Sequence, residues 1–231
     1  MNEEQNGNGA DEVRLVRRGD FLTLAGPDGM SLCADFTKLL PRIRRGNLMS
    51  ELVVRAVKIR GAEKPLTVLD ATAGFAEDSF LLAACGFTVR MYEKDGTIAA
   101  LLSDALRRAS ENAELREISA RMTLTCGDSI GAMRQLGPEN APDVIYLDPM
   151  FPERQKSGLV KKKFQLLHYL EKPEEDGDAL LSAALSAHPR KIVIKRPLKG
   201  PYLGGVRPSY TKPGKAIRYD MILTDSVNCV I

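Results

Sequence analysis

Histidine is nearly missing from this chain. Of 231 residues only His168 and His188 carry an imidazole, and neither has a metal-ligating neighbour at useful spacing. That argues against a zinc site and a histidine-based catalytic triad, so no metal is expected. Cysteine is equally sparse. Cys33, Cys85, Cys126 and Cys229 are scattered, with no C-x-x-C pair. Cys85 and Cys126 sit in apolar surroundings and read as small core residues. A reducing, cytoplasmic setting fits this usage. Long apolar runs are lacking too. None approaches the roughly 18 residues of a membrane span, so no membrane partner is expected. Residues 1–12 are polar and acidic (Glu3, Glu4, Asp11, Glu12) and read as a flexible tail rather than a signal peptide.

What the chain has is charge in blocks. The net charge is only +3, yet residues 36–64 carry +6, residues 153–163 carry +4 and residues 190–218 carry +9, the last without a single acid. The remainder is therefore −16. One such block would read as a solvated face. Three on an otherwise acidic chain point to a face built for a polyanion, with nucleic acid favoured.

The hydrophobic pattern divides the chain in two. Phe21–Leu24 and Met30–Ala34 flank Gly26-Pro27-Asp28-Gly29, a hairpin signal. Residues 13–47 therefore read as a small β appendage followed by a basic loop at Arg42–Asn47. Residues 48–231 read as the main domain. Ser50 is placed to cap a helix presenting Leu52, Val53, Ala56 and Val57. From Leu66 onward strands and helices alternate. Strands are expected at Leu66–Ala71, Phe87–Tyr92, Met122–Cys126, Asp143–Leu147, Lys191–Ile194 and Ala216–Thr224. Helices are expected at Glu77–Cys85, Gly96–Ser110 (reaching about Arg116), Ser129–Leu136 and Ala179–Ala187. This alternation predicts an α/β fold with a doubly wound, mostly parallel sheet. Ligands then bind beyond the carboxyl ends of the strands.

The first strand end is Asp70-Ala71-Thr72-Ala73-Gly74-Phe75-Ala76-Glu77-Asp78. A dinucleotide fold needs three glycines around its pyrophosphate; only Gly74 is present, which disfavours an NAD-dependent oxidoreductase. Glu77 and Asp78 would repel phosphate. They suit a phosphate-free ligand with an amino group and a sulfonium, which describes S-adenosylmethionine. Asp70, Ala71 and Gly74 would form its turn. Glu93 ends the second strand, where a carboxylate can accept from ribose hydroxyls, and Asp128 follows the third, where one can accept from the adenine amine. Taken singly, these are ordinary features: a turn glycine, a solvated acid, an N-cap and acids complementing a helix dipole. Acids at successive strand ends make the cofactor reading the stronger one.

Asp148-Pro149-Met150-Phe151 follows the fourth strand. An exocyclic base amine is a poor nucleophile because its lone pair is delocalised into the ring. The Asp148 carboxylate and the Pro149 carbonyl could accept its two hydrogens and leave the lone pair aimed at a methyl donor. Phe151 could stack on the base. The motif recognises a planar amine in general, so adenine N6 or a protein glutamine remains an alternative substrate, as does a non-catalytic RNA-binding protein of the same fold.

The core resembles class I S-adenosylmethionine-dependent methyltransferases. More narrowly, Leu69–Gly74, Arg90–Lys94, Tyr146–Pro152, Gln155–Lys162 and Val193–Pro197 resemble the ribosomal RNA small subunit methyltransferase J family. The resemblance implies a seven-stranded, Rossmann-like sheet and methylation of a guanine N2 amine in 16S rRNA. It implies cofactor contacts at Glu77, Asp78, Glu93, Lys94, Asp128, Ser129 and Asp148. Lys156, Lys161, Lys162 and Lys163 would order over phosphates flanking a flipped base, with Lys195 and Arg196 as a second wall. The expected partner is ribosomal RNA or the small ribosomal subunit. The chain departs from the family at Arg44-Arg45-Gly46-Asn47, which has one glycine where a glycine-rich loop is expected. It departs again at Phe75-Ala76-Glu77, where a second glycine and a basic residue are usual. No sequence feature sets an oligomeric state.

Overall fold

The computed structural model describes residues 13–26, 29–149 and 177–224. Three short strands come first: β1 (Arg14–Arg18), β2 (Phe21–Ala25) and β3 (Ser31–Leu32). Three short helices follow: α1 (Leu40–Ile43), α2 (Arg45–Ser50) and α3 (Leu52–Val57). The alternating part then runs β4 (Thr67–Asp70), α4 (Glu77–Ala84), β5 (Thr88–Glu93), α5 (Gly96–Glu111), α6 (Arg116–Ser119), β6 (Met122–Cys126), α7 (Ser129–Arg134) and β7 (Val144–Leu147). It closes with α8 (Gly177–Ser186), β8 (Lys191–Pro197), β9 (Tyr210–Pro213) and β10 (Ile217–Leu223).

The main sheet has seven strands in the order β6-β5-β4-β7-β8-β10-β9. Strands β6 to β8 are parallel, while β10 runs antiparallel to both β8 and β9. The expected doubly wound sheet is thus present. Its central strands are apolar throughout because both faces are covered. Val54, Val57, Phe80 and Leu81 pack with Val68, Val89 and Tyr146 in one cluster, and Met133, Leu180 and Leu181 pack with Ile145, Leu147 and Ile192 in another. The chain winds outward from β4 to β6, then restarts at β7 on the other side of β4. The carboxyl ends of β4 and β7 therefore flank the topological switch point, where an open α/β sheet offers a crevice.

The N-terminal β-sheet docks on α5. Leu24 and Leu32 pack against Ile98 and Leu101. Asp104 on α5 accepts from Leu22 N (3.0 Å) and from Arg108 Nε (2.8 Å), and the Arg108 guanidinium lies 4.1 Å above the Phe21 ring.

Several elements differ from expectation. Strand β1 extends the expected hairpin into a three-stranded sheet, and β9 adds an edge to the main one. Both are largely exposed and carry no apolar alternation, and β9 contains a proline, which an edge strand tolerates. The basic stretch Arg42–Asn47 is helical rather than a loop, spanning α1 and α2. Arg42 clamps it by a bidentate pair with Glu51 at 2.8 and 2.9 Å. Ser50 does not cap α3; its hydroxyl donates back to Asn47 O, and Glu51 takes the cap position. Helix α5 stops at Glu111 because Asn112 turns extended and its side chain accepts from Glu114 N. Cys126 is exposed on the edge strand β6, not in the core, and Cys85 is half-buried. Among the described residues no helix is long and apolar enough to cross a membrane.

Candidate active site

The turn after β4 is built on hydrogen bonds that converge on two buried acids. Asp70, 1% exposed, accepts from Thr72 N at 3.0 Å and from Ser79 Oγ at 2.5 Å. Burial pushes its carboxyl up to about 7, with Asp78 and Asp148 adding to the rise and the two hydrogen bonds opposing it. Ala71 N donates to Tyr146 O, and Ala73 N to Tyr92 O, which ties the turn to both neighbouring strands. Gly74 has φ +52°, a conformation that glycine adopts freely. Its N–H donates to Glu93 Oε2 at 2.8 Å. Ala76, also at positive φ, opens α4, whose first turn carries Glu77 and Asp78.

Glu93 is the second organiser. Its other oxygen accepts from Asp95 N at 2.8 Å, so both oxygens are held by backbone amides. Burial raises its carboxyl above the ordinary range, and the bonds from Asp95 and Gly74 limit the rise. Lys94 beside it is exposed. Asp128 caps α7, accepting from Ile130 N (3.2 Å) and Gly131 N (3.0 Å), so the capping reading holds for it; Ser129 is buried beneath. Glu77 is exposed at the mouth, 3.9 Å from Arg42.

The turn after β7 faces this loop. Asp148 N donates to Thr72 Oγ1 at 2.6 Å, which joins the two turns across the switch point. Pro149 is buried. The Asp148 carboxylate accepts from Lys195 Nζ at 2.8 Å. The same ammonium donates to Asp78 Oδ2 at 2.8 Å, and Tyr146 OH donates to that oxygen at 2.6 Å. Burial pushes the Asp148 carboxyl up; Lys195 pulls it down and Asp78 pushes it further up, and the net direction is a rise. Burial also works against the Lys195 charge, but Asp78 and Asp148 outweigh it and hold the ammonium above its ordinary value. Burial and the two carboxylates push the Tyr146 hydroxyl well above its usual range, so it stays protonated and remains a donor to Asp78.

The structure therefore brings together Asp70, Ala71, Gly74, Asp78, Glu93, Asp148, Pro149 and Lys195. Arg196, grouped with Lys195 in sequence, points elsewhere: it is 2% exposed and donates through Nε and Nη2 to Pro201 O. Phe151, Lys156, Lys161, Lys162 and Lys163 lie outside the described residues. Four participants were not foreseen: Thr72, Ser79, Tyr146 and Tyr219, whose ring lies 6.5 Å from that of Tyr146. A tyrosine inside the apolar run Val144–Leu147 was the available signal, since a buried hydroxyl needs a partner.

This donor set suits S-adenosylmethionine. It offers carboxylates to an amino group and to hydroxyls, a single turn glycine, and no phosphate cradle. The comparisons agree. A family model described as "Putative SAM-dependent methyltransferase" matches residues 6–224. A protein of Thioalkalivibrio sulfidiphilus named ribosomal RNA small subunit methyltransferase J is 42% identical over 213 residues, covering 91% of this chain and 83% of that one. One of the same name from Marinobacter nauticus is 46% identical over 180 residues, 78% of this chain and 64% of that one. The crystal structure of a SAM-dependent methyltransferase from Neisseria gonorrhoeae superposes with a TM-score of 0.71 at 31% identity, covering 95% of this chain and 85% of that one. A fold with its switch point between two acid-bearing turns, and relatives at this identity over most of their length, lead to one conclusion: the chain belongs to the ribosomal RNA small subunit methyltransferase J family of S-adenosylmethionine-dependent methyltransferases.

Proposed function

We propose that this enzyme, acting in the cytoplasm, methylates the exocyclic N2 amine of a guanine in small-subunit ribosomal RNA. The observation that carries the reading is the Asp148 N to Thr72 Oγ1 bond, which sets an amine-accepting turn against the cofactor turn across the switch point. The relatives' name supplies the substrate class.

S-adenosylmethionine, when bound, supplies the methyl group as a sulfonium. In this reading Asp70, Ala71, Gly74, Glu77 and Asp78 hold its methionine end, Glu93 and Lys94 its ribose, and Asp128 and Ser129 its adenine. The Glu93 oxygens accept from Gly74 N and Asp95 N, and a carboxylate oxygen has more than one lone pair, so the group can also accept from a hydroxyl. Asp148 Oδ1 and the Pro149 carbonyl accept the two amine hydrogens and aim the nitrogen lone pair. With the methyl donor bound, the amine nitrogen would take the methyl group as its S–C bond breaks, the electron pair leaving with sulfur, and Asp148 or water would take the proton the nitrogen then sheds. Phe151 stacks on the base, and Lys156, Lys161, Lys162 and Lys163 hold flanking phosphates. Arg196 supports the wall after β8 from behind, through Pro201.

The test is transfer of labelled methyl to unmodified small subunits and to naked 16S rRNA, with the product nucleoside identified. Label in N2-methylguanosine is expected. Label in N6-methyladenosine, or in a protein amide, would overturn the guanine assignment. No label in any acceptor, with the cofactor bound, would overturn the rRNA reading.

A further inference from the structure

Lys195 lies in the +9 block and was expected to meet phosphates. Its ammonium is instead turned inward, 2.8 Å from Asp78 Oδ2 and 2.8 Å from Asp148 Oδ2. These acids belong to opposite halves of the site. Asp78 sits in the first turn of α4, next to the cofactor turn, and Asp148 follows β7 on the amine side. The side chains of Lys195, Asp78 and Asp148 are 25%, 16% and 37% exposed, so solvent screens the group only in part.

Two carboxylates gripped by one ammonium cannot lie farther apart than the sum of those two distances. At that separation, with limited solvent, the Asp78 charge disfavours the ionised form of Asp148 and the cation between them favours it. The groups around Asp148 are otherwise acidic or neutral. Asp70 and Asp78 face it from β4 and α4, Tyr146 from β7, and Tyr219 from β10, where it pairs in register with Lys195. Arg42 lies beyond Asp78, engaged by Glu51. Among the described residues Lys195 is the cation in contact with Asp148.

We propose that Lys195 is a positioning residue: through the Asp78–Lys195–Asp148 bridge it keeps the Asp148 carboxylate ionised and aimed at the target amine, and does not contact RNA phosphates. The proposal rests on the reading of Asp148 as the amine acceptor. An ionised Asp148 accepts the amine hydrogen and later the proton. A protonated one would present a hydrogen to the amine and disable attack. The bridge also fixes the carboxylate's rotation, because Lys195 holds Oδ2 and leaves Oδ1 for the substrate. It links cofactor and amine sides as well, since a cationic ligand drawing on Asp78 changes how tightly Lys195 holds Asp148.

The experiment uses Lys195→Met, which keeps the apolar stem and removes the charge, and Lys195→Arg, which keeps the charge. Lys195→Gln gives a second neutral side chain if the methionine variant does not fold. The Asp148 carboxyl is titrated by carbon-13 NMR, assigned with Asp148→Asn, and the pH profile of kcat/KM is recorded alongside. In the neutral variants the Asp148 titration and the acid limb of the profile are expected to rise by about one to three pH units. The Arg variant is expected to restore both, with RNA affinity and its salt dependence unchanged throughout. An unmoved titration would overturn the proposal. So would an unmoved limb with a salt slope reduced by about one, the signature of a phosphate contact. The titration needs no methyl acceptor. A shifted titration without methyl transfer would therefore sink the rRNA reading and not the bridge.

Discussion

On the β5 and β6 side of the site, acids are held by neutral donors. Glu93 takes two backbone amides, Asp95 caps α5 through Thr97 N and Ile98 N, and Asp128 caps α7. On the β7 and β8 side, Asp78 and Asp148 share one side-chain cation. Backbone amides are fixed by the fold and carry no titrating charge, so in that half only the acids titrate and their partners stay in place. The other half is a charge balance, in which one ammonium offsets several carboxylates, and it responds to pH and to a single substitution. Changes in the first half should therefore be read mainly in folding and cofactor affinity, and changes in the second mainly in rate.

The largest expected contrast comes from Asp148→Ala. Methyl transfer should fall by about two to three orders of magnitude, while cofactor affinity, measured by calorimetry, changes only a few-fold; equal losses in both would erase the distinction between the halves. Next is Asp70, which lies between them. Its folded pKa of about 7 is above the unfolded value of 3.8, so between those limits the folded state keeps a proton that the unfolded chain has released. Its contribution is full below about pH 4, is lost as pH rises, and is gone above about pH 7. It amounts to at most about 4 kcal/mol. Asp70→Asn removes the titration and keeps the bond from Thr72 N, while the contact with Ser79 reverses, the new NH2 donating to the Ser79 hydroxyl. Urea unfolding at pH 5 and pH 7.5 should show the wild type losing stability relative to this variant; parallel behaviour would place the Asp70 pKa elsewhere.

Glu93→Gln tests the scaffold half. The new amide must turn its NH2 toward one of two backbone donors, Gly74 N or Asp95 N, leaving a hydrogen bond unmade. A cost of about 1–3 kcal/mol in urea unfolding is expected, together with weaker cofactor binding. The smallest effect is Asp128→Ala, which removes an N-cap for about 1 kcal/mol. Cofactor affinity should fall as well, because Asp128 also holds the adenine in the proposed site; an unchanged affinity would show Asp128 to be a cap alone.

Much of this architecture was legible in the chain. A parallel sheet covered on both faces writes its strands as unbroken apolar runs, and Val68-Leu69 and Val144–Leu147 are such runs. The acids that end them were readable because ligand sites lie at carboxyl ends. Edge strands β1 and β9 escaped because exposed strands need no apolar face. Charge was the poorer guide. In the 190–218 block, Lys191, Arg196 and Arg218 are all buried. Lys191 donates to Ala56 O and Lys58 O at the end of α3, and burial pulls its ammonium down to about 8. Arg218 holds the carbonyls of Pro197, Leu198 and Gly200 at 2.8 to 2.9 Å. Counting charges gives a sum for the block, but not which side chains turn inward.

By itself, then, the sequence determined the order of elements, the parallel sheet and the strand ends that carry the chemistry, because these follow from apolar periodicity and local turn residues. Only the tertiary structure decided the partner of each acid. Tyr146 and Asp78 are 68 residues apart, Asp148 and Thr72 are 76, and Lys195 and Asp78 are 117. Such pairs meet only when the sheet closes around its switch point, and the burial that closure brings is what sets their charges.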